Sequence, residues 1–344
     1  MELETLMQEA LDHLKEEFYK EKFYFSYSSL NKLLWNPAVF HQIYILKLKE
    51  DKPESYLIQG KLIHSLLLEE EKFDDNYIIS PASLPTGNLR IVVDTVYRHY
   101  NELKQAGEDQ RTELNEFSNA ILDVMQDINY FQSLKTDDQR IAKIITPEAI
   151  SYWNFLKQKG SKTLIDQESY DFCKSAVDMI RVDNKLCSLI GCNVTEFDNK
   201  EVLNEITIQA DIPGRDFGIK GIIDNLVIDH DKRIIYINDI KTTSKDLKDF
   251  PETVEFYSYW LQAVIYCTLV SLHYMQLIEQ KGYQLKFHFV VIDKMFQTYA
   301  YPVSDRTLNA WFDRFKDTID KAEWHYKNKS FDLPYAFATG TMTL

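Results

Sequence analysis

The clearest alternation in the chain is "NEITIQADI", residues 204–212. Glu205, Thr207, Gln209 and Asp211 fall on one face, and Ile206, Ile208, Ala210 and Ile212 on the other, which predicts a strand with one buried side. Pro213-Gly214-Arg215-Asp216 reads as a turn. "GIKGIIDNLVID" and "RIIYINDIK" predict the next two strands, joined by "HDK", so this region reads as a three-strand meander. "QLKFHFVVID" and "TYAYPV" predict a later strand pair.

Most of the remainder has helical spacing. Residues 3–20 predict a helix, and "FSYSSLNKLLWNPAVF" predicts serine caps and a short helix with Leu30, Leu33 and Leu34 inward, stopped near Asn36-Pro37. A further helix is predicted over 54–72, then a short edge strand in "NYIISP". Residues 90–106, 110–131, 147–159 and 166–180 predict helices broken at "AGED", "LKTDD" and "KGSKT". "TVEFYSYWLQAVIYCTLVSLHYM" predicts one long buried helix, and "DRTLNAWFDRFKDTIDKAEWHYKN" a closing amphipathic one. The order implies a mixed α/β fold, a central mixed β-sheet flanked by helices, with a mostly helical insertion at about 85–200. No obvious linker splits the chain, so residues 1–344 read as a single domain.

Composition narrows the class. With 344 residues, 45% of them hydrophobic, the chain has ample material for a core. Cys173, Cys187, Cys192 and Cys267 contain no C-x-x-C pair and read as reduced thiols of a cytoplasmic protein, not as a disulfide framework or a four-cysteine metal site. The N-terminus is charged and helix-patterned, unlike a signal peptide, and no apolar run reaches the roughly 18 residues a membrane span needs. The formal charge of −14 counts against nucleic acid as a partner, because phosphate contacts need cations. It is an average, however, and a basic groove or a bound metal reverses it locally.

The candidate chemistry lies at the tip of "IIYINDIKTT". Side chains alternate on a strand, so Asp239 and Lys241 share a face. Asp224, on the preceding strand, can converge with Asp239 at one end of the sheet. Two adjacent carboxylates repel unless a divalent cation lies between them, and oxygen donors suit Mg²⁺ or Mn²⁺. The Ile240 carbonyl offers a further ligand. Lys241 then lies where it can orient or deprotonate an attacking water, or neutralise a phosphate. Taken alone, Asp-x-Lys is more often an ordinary surface ion pair at a strand end. Gln262 and Tyr266 share a helix face, as do Gly60 and His64. Gly60 weakens its helix, for which a close backbone approach is a natural reason. His64 fits either a core imidazole or a metal ligand, and Glu205 either a polar strand face or a site.

Together these residues resemble the PD-(D/E)XK nuclease superfamily, most closely its RecE/RecB-like exonuclease branch (exodeoxyribonuclease VIII-like, of phage type). "GKLIHSLLLEEEKFDDNYII" is similar to the family's G-x-x-x-H helix, "GIKGIID" to its G-x-x-D strand, "NDIKTT" to its D-x-K strand and "LQAVIY" to its Q-x-x-x-Y helix. "YSSLNKLLWNPAVF" is similar to the serine-rich opening segment. The motifs keep the family's order over roughly 26–80 and 200–270, and the region between matches only loosely.

The resemblance implies a divalent-metal-dependent deoxyribonuclease whose expected substrate is a duplex DNA end, cut 5′ to 3′ in recombination or phage replication. It implies His64, Asp224, Asp239 and the Ile240 carbonyl as metal ligands, Lys241 as the catalytic lysine, Gln262 and Tyr266 as positioning groups, and Glu205 as a further acidic residue of the site. Ser28, Ser29, Thr242 and Lys245 are the expected substrate contacts; the serines also fit a helix cap. Relatives assemble as rings and work with a single-strand annealing protein, so a homo-oligomer and such a partner are implied. In a ring, Lys220, Lys241, Lys245 and Lys248 are expected along the channel wall. The third acid is Asp239 where many relatives have Glu, and the iron–sulfur cysteines of some relatives are absent. A structure-specific or nicking endonuclease on the same fold, and a binding module without turnover, are the rival readings.

Overall fold

The computed structural model describes residues 2–48, 55–81, 83–107 and 110–342. Residue 54, the expected start of one helix, and Glu108 and Asp109 of the "AGED" break lie outside these. In chain order the elements begin α1 (Glu2–Lys20), β1 (Tyr24–Phe25), α2 (Tyr27–Trp35), α3 (Pro37–Phe40), α4 (Ser55–Leu68), α5 (Phe73–Asn76) and β2 (Tyr77–Ile79). Next come α6 (Gly87–Ala106), α7 (Ser118–Asp127), α8 (Asp137–Ile144), α9 (Pro147–Lys159), β3 (Thr163–Ile165), α10 (Gln167–Val182) and α11 (Asn184–Ile190). The C-terminal part holds β4 (Lys200–Asp211), β5 (Gly218–Asp229), β6 (Ile234–Thr243), α12 (Phe250–Phe256), α13 (Tyr259–His273), β7 (Gln284–Asp293), β8 (Thr298–Pro302), α14 (Asp305–Asn328) and α15 (Tyr335–Ala338).

The chain divides into two compact units, Met1–Glu70 with Cys173–Leu344, and Glu71–Phe172. The second unit packs α6, α7 and α9 around Trp153, Phe117 and Tyr100. Its only sheet among the described residues is the parallel pair β2–β3, so the "NYIISP" strand does not edge the main sheet. The expected helix over 110–131 forms only from Ser118, after a short 3-10 turn capped by Glu113 and Glu116.

The first unit is built on a mixed sheet. β4, β5 and β6 form the antiparallel meander, β6 pairs with β7 in parallel, and β8 closes the edge antiparallel. The two-residue β1, not legible as a strand in the sequence, pairs in parallel with the start of β5 at Gly218 and Ile219. This leaves one edge of β5 divided. Its far end, residues 225–229, pairs with β6, its near end pairs with β1, and the stretch between has no strand partner on that side among the described residues. Asp224 lies at this fork.

The buried pattern explains the fork. Leu203 and Ile206 on β4, and Ile223 and Leu226 on β5, all pack on the same core, a spacing of three that strict alternation forbids. The break falls at Glu205, whose φ of 50° is left-handed, and at its neighbour Asp224. α13 covers this core face with Leu261, Val264, Ile265 and Leu269, all fully buried. α4 and α11 pack against β5 and β6 as well. There a chain of asparagines crosses the sheet. Asn204 Nδ2 donates to Leu68 O at 2.8 Å, Asn225 Nδ2 to Asn204 Oδ1 at 2.8 Å and Ile190 O at 2.9 Å, and Asn238 Nδ2 to Asn225 Oδ1 at 2.7 Å and Leu189 O at 3.1 Å. Each such bond contributes about 1 kcal/mol net, and breaking one strands a buried donor. The chain ties the C-terminal ends of α4 and α11 to the sheet.

Candidate metal centre

β6 continues past the last rung it shares with β5, the pair Asn225–Asn238. The next backbone amide that faces the fork, Ile240 N, donates instead to Asp224 Oδ2 at 2.8 Å. A side-chain carboxylate thus replaces a strand partner, which satisfies the amide and holds Asp224 in place. Directly opposite on β4, Glu205 stands in its left-handed conformation. Such backbone costs on the order of 1 kcal/mol or more for a residue with a side chain and persists where its surroundings enforce it.

His64 enters from α4, whose Leu62, Ile63, Leu66 and Leu67 are buried and hold the helix to the sheet. Its Nδ1 lies 3.2 Å from Glu205 Oε1, and its Nε2 lies 3.1 Å from Ile240 O and 3.7 Å from Asp224 Oδ2. His64, Glu205 and Asp224 each offer one donor atom, and these atoms lie within 4.8 Å of one another. Burial alone would depress the His64 pKa, but the Asp224 and Glu205 carboxylates outweigh it and raise it to about 9.

Asp239 and Lys241 lie beside this cluster, on the strand face that Ile235 and Ile237 give to the core. Asp239 is fully buried, and its Oδ2 lies 2.7 Å from Lys241 Nζ. The contact is an ion pair by distance, yet neither Asp239 oxygen accepts a well-aligned hydrogen bond. Burial pushes the Asp239 carboxyl up to about 7, against the pull of Lys241 and with the push of Asp224. For Lys241, burial opposes the charge, but Asp239 and Asp224 prevail and raise its pKa. The Lys241 ammonium also sits 4.8 Å from the centre of the Tyr259 ring, a cation–π contact.

The expected helix pair is present on α13. Gln262 Nε2 donates to Tyr266 Oη at 2.8 Å, while Gln262 Oε1 is buried without a partner. Burial, then the Asp224 and Asp239 charges, raise the Tyr266 pKa well above its ordinary value. The remaining candidates are more peripheral. Ser28 and Thr242 are exposed, and Lys245 is exposed just beyond β6. Ser29 is buried, and its hydroxyl is engaged with Ser26 N and Ser26 O in the capping box of α2. Lys220 is exposed on β5, and Lys248 Nζ lies 3.8 Å from Asp246. The structure therefore draws His64, Glu205, Asp224 and the Ile240 carbonyl into one cluster, with Asp239 and Lys241 paired next to it.

Three features of the site were not singled out in the sequence: Tyr259 under Lys241, Tyr27 bonded to the Tyr257 carbonyl, and the asparagine chain. The last carries a legible signal, because each site acid has an asparagine neighbour: Asn204-Glu205, Asp224-Asn225 and Asn238-Asp239. The expected single helix over 253–275 divides at Ser258, whose φ of 58° separates α12 from α13.

The family model of the PD-(D/E)XK nuclease superfamily matches residues 24–332. The chain belongs to the PD-(D/E)XK nuclease superfamily. A search of curated proteins finds no match. Among solved structures, the nuclease is similar to a candidate exonuclease from Eubacterium rectale, at 12% identity over 89% of this chain and 82% of that one, with a TM-score of 0.44. It is also similar to SSO0001, at 14% identity over 78% of this chain and 87% of that one, with a TM-score of 0.24. Likenesses this distant carry no argument about activity.

PD-(D/E)XK nucleases act on DNA and use divalent metals, and the donor set fits one. An imidazole nitrogen, two carboxylates and a carbonyl, with no thiolate among them, make an oxygen-rich set suited to Mg²⁺ or Mn²⁺. The Asp239 carboxylate, ion-paired with Lys241 but accepting no well-aligned hydrogen bond, adds buried acceptor oxygens beside this set.

Proposed function

We propose that this nuclease is a Mg²⁺- or Mn²⁺-dependent exonuclease that hydrolyses double-stranded DNA from an end, 5′ to 3′, in recombination or phage replication within the cytoplasm. The observation that carries the reading is the adjacency of two sets of groups at the β5–β6 fork. His64, Glu205, Asp224 and the Ile240 carbonyl form one, and the Asp239–Lys241 pair the other.

In this reading His64, Glu205 and Asp224 would hold the cation, with the Ile240 carbonyl and Asp239 as the further candidate donors. The bound cation would supply electrophilic stabilisation of the phosphate and a more acidic water. Lys241 is held from two sides, by Asp239 and by the Tyr259 face, so its ammonium keeps one position. Its raised pKa keeps it charged at neutral pH, which suits a donor to negative charge developing on the phosphate better than a base. Tyr266, held by Gln262, orients groups along the other side of the two acids. Ser28, Thr242 and Lys245 are exposed and open to the DNA backbone. The end preference, the polarity, the ring and the annealing partner come from the motif resemblance.

The test compares linear and covalently closed circular duplex DNA, with and without Mg²⁺, for the wild type, Asp239→Ala and Lys241→Ala. The reading expects Mg²⁺-dependent loss of linear DNA only, abolished in both variants. Cutting of the circle would assign an endonuclease, and intact linear DNA in the wild type would end the proposal.

A further inference from the structure

Beside Lys241 the chain displays an aromatic surface that the nuclease chemistry does not use. Phe256 is 77% exposed and Tyr257 47% exposed, consecutive rings at the end of α12. Phe256 meets Tyr257 edge to face at 4.9 Å between centroids, and Tyr257 stacks on Tyr259 at 5.5 Å with 26° between planes. Tyr259 in turn underlies the Lys241 ammonium. The rings thus form a continuous path from solvent to the catalytic lysine.

The local backbone is arranged to make this path. Residues two apart on a regular helix point in different directions and cannot stack. Tyr257 and Tyr259 stack because Ser258 between them is left-handed, with φ 58°. Ser258 follows the C-cap of α12, where a left-handed residue commonly ends a helix; glycine is the usual choice, and a serine accepts the conformation at a cost. Tyr27 secures the arrangement from behind. Its Oη donates to the Tyr257 carbonyl, and its ring lies 6.3 Å from that of Tyr259. The platform is therefore fixed on its inner side and bare on its outer side.

We propose that Phe256 and Tyr257 form a stacking platform for unpaired bases of the DNA strand being cut, with Tyr259 and Lys241 receiving the backbone at its inner end. The inference rests on the nuclease reading above and adds a subsite to it. Bare aromatic faces bind bases of any sequence, because every base has a π-face, and here the path ends at a cation that suits a phosphate. A duplex end has its last pair least well stacked, so a platform beside the cleavage chemistry would hold the frayed base and keep the strand in register. Tyr27 acts as a positioning residue through the Tyr257 carbonyl.

The test measures binding in EDTA, where nothing is cut. The probes are a fluorescent oligothymidylate of about 12 nucleotides, within the usual span of single-strand sites, and the same backbone carrying base-free sugars. The wild type should prefer the base-bearing strand by roughly 5- to 150-fold per stacked base. Phe256→Ala and Tyr257→Ala should each remove most of that preference and leave the base-free affinity unchanged, and Tyr257→Phe should keep it. Equal affinity of the wild type for the two probes overturns the proposal. So does an unchanged preference in the Phe256→Ala/Tyr257→Ala double variant. A shift in oligomeric mass by light scattering, with oligonucleotide binding unaltered, also overturns it and makes the patch a contact between copies. None of these readouts requires turnover, so failure of the nuclease assay and failure of the platform are separable.

Discussion

Asp224 Oδ2 accepts the Ile240 amide at 2.8 Å, so one carboxylate both closes the backbone account of β6 and faces His64. These two roles separate by substitution. Asp224→Ala strands the buried Ile240 N–H, at a cost of about 1–3 kcal/mol, and removes a metal donor. Asp224→Asn keeps an acceptor oxygen for the amide but lacks the charge. We expect Asp224→Asn to melt close to the wild type in EDTA and Asp224→Ala to melt several degrees lower. Both should lose hydrolysis by on the order of 100-fold or more. Thermal melts beside a linear-DNA assay check this, and equal melting of the two variants would remove the structural role.

Bound cation should stabilise the fold by mass action. At about 100 times its dissociation constant a ligand of the native state contributes about 2.7 kcal/mol. Mn²⁺ should therefore raise the melting temperature of the wild type by several degrees, reversibly with EDTA. His64→Ala and Glu205→Ala should lose most of that increment, because the donor atoms of His64, Glu205 and Asp224 lie together. Lys241→Ala should keep it while losing hydrolysis. A full increment in Glu205→Ala would move the cation away from β4, toward Asp239.

Much of this centre was legible before folding because its residues sit in strands and helices of strong period. The meander, the shared face of Asp239 and Lys241, and the Gln262–Tyr266 pair follow from alternation and helical spacing. What was not legible depends on breaks in period. Glu205 and Ser258 take left-handed backbone that neither residue type announces. The first falls where Glu205 meets His64, and the second divides a helix and stacks two tyrosines. β1 is two residues long, too short for any periodic signal, yet it helps define the fork. The asparagine chain was visible as three polar neighbours of three acids, but only the sheet register shows that they meet.

His288 should make the fold acid-sensitive. Its ring is half-buried on β7, its Nδ1 is buried without a partner, and burial together with Lys286 lowers its pKa to about 4. Asn238 stands in register with it on β6 and Pro302 on β8, the Tyr236 ring lies at 5.9 Å, and Lys286, two residues before it on β7, is paired with Asp305 at 3.0 Å. The folded state holds this histidine neutral, whereas an unfolded one protonates near 6.5. Its contribution is thus intact above pH 6.5 and is lost as pH falls toward 4, by about 1–3 kcal/mol in all. His288→Gln should flatten that part of the profile. Denaturant melts of both proteins from pH 7.5 to 4.5 would show it as a narrowing gap, and parallel profiles would contradict it.

Two glycines of the motifs differ in what they tolerate. At Gly221 an added Cβ would meet Tyr266 Cε1 at 2.8 Å and Cδ1 at 3.1 Å, with Leu269 at 3.3 Å. The obstacle is a buried ring, pinned by Gln262, and not the free end of a flexible chain. Gly221→Ala should therefore displace Tyr266, at about 1–3 kcal/mol of overpacking, and lower hydrolysis through a misplaced phenol. Gly60 differs. Among the described residues its added Cβ would meet Thr242 Oγ1 at 3.7 Å, an ordinary contact and not a tight one. In the α4 interior Gly60→Ala should raise stability by about 0.5–1 kcal/mol. If that more stable variant loses hydrolysis, the close approach at Gly60 is to the DNA, and the pair of substitutions then distinguishes a glycine kept for packing from one kept for substrate.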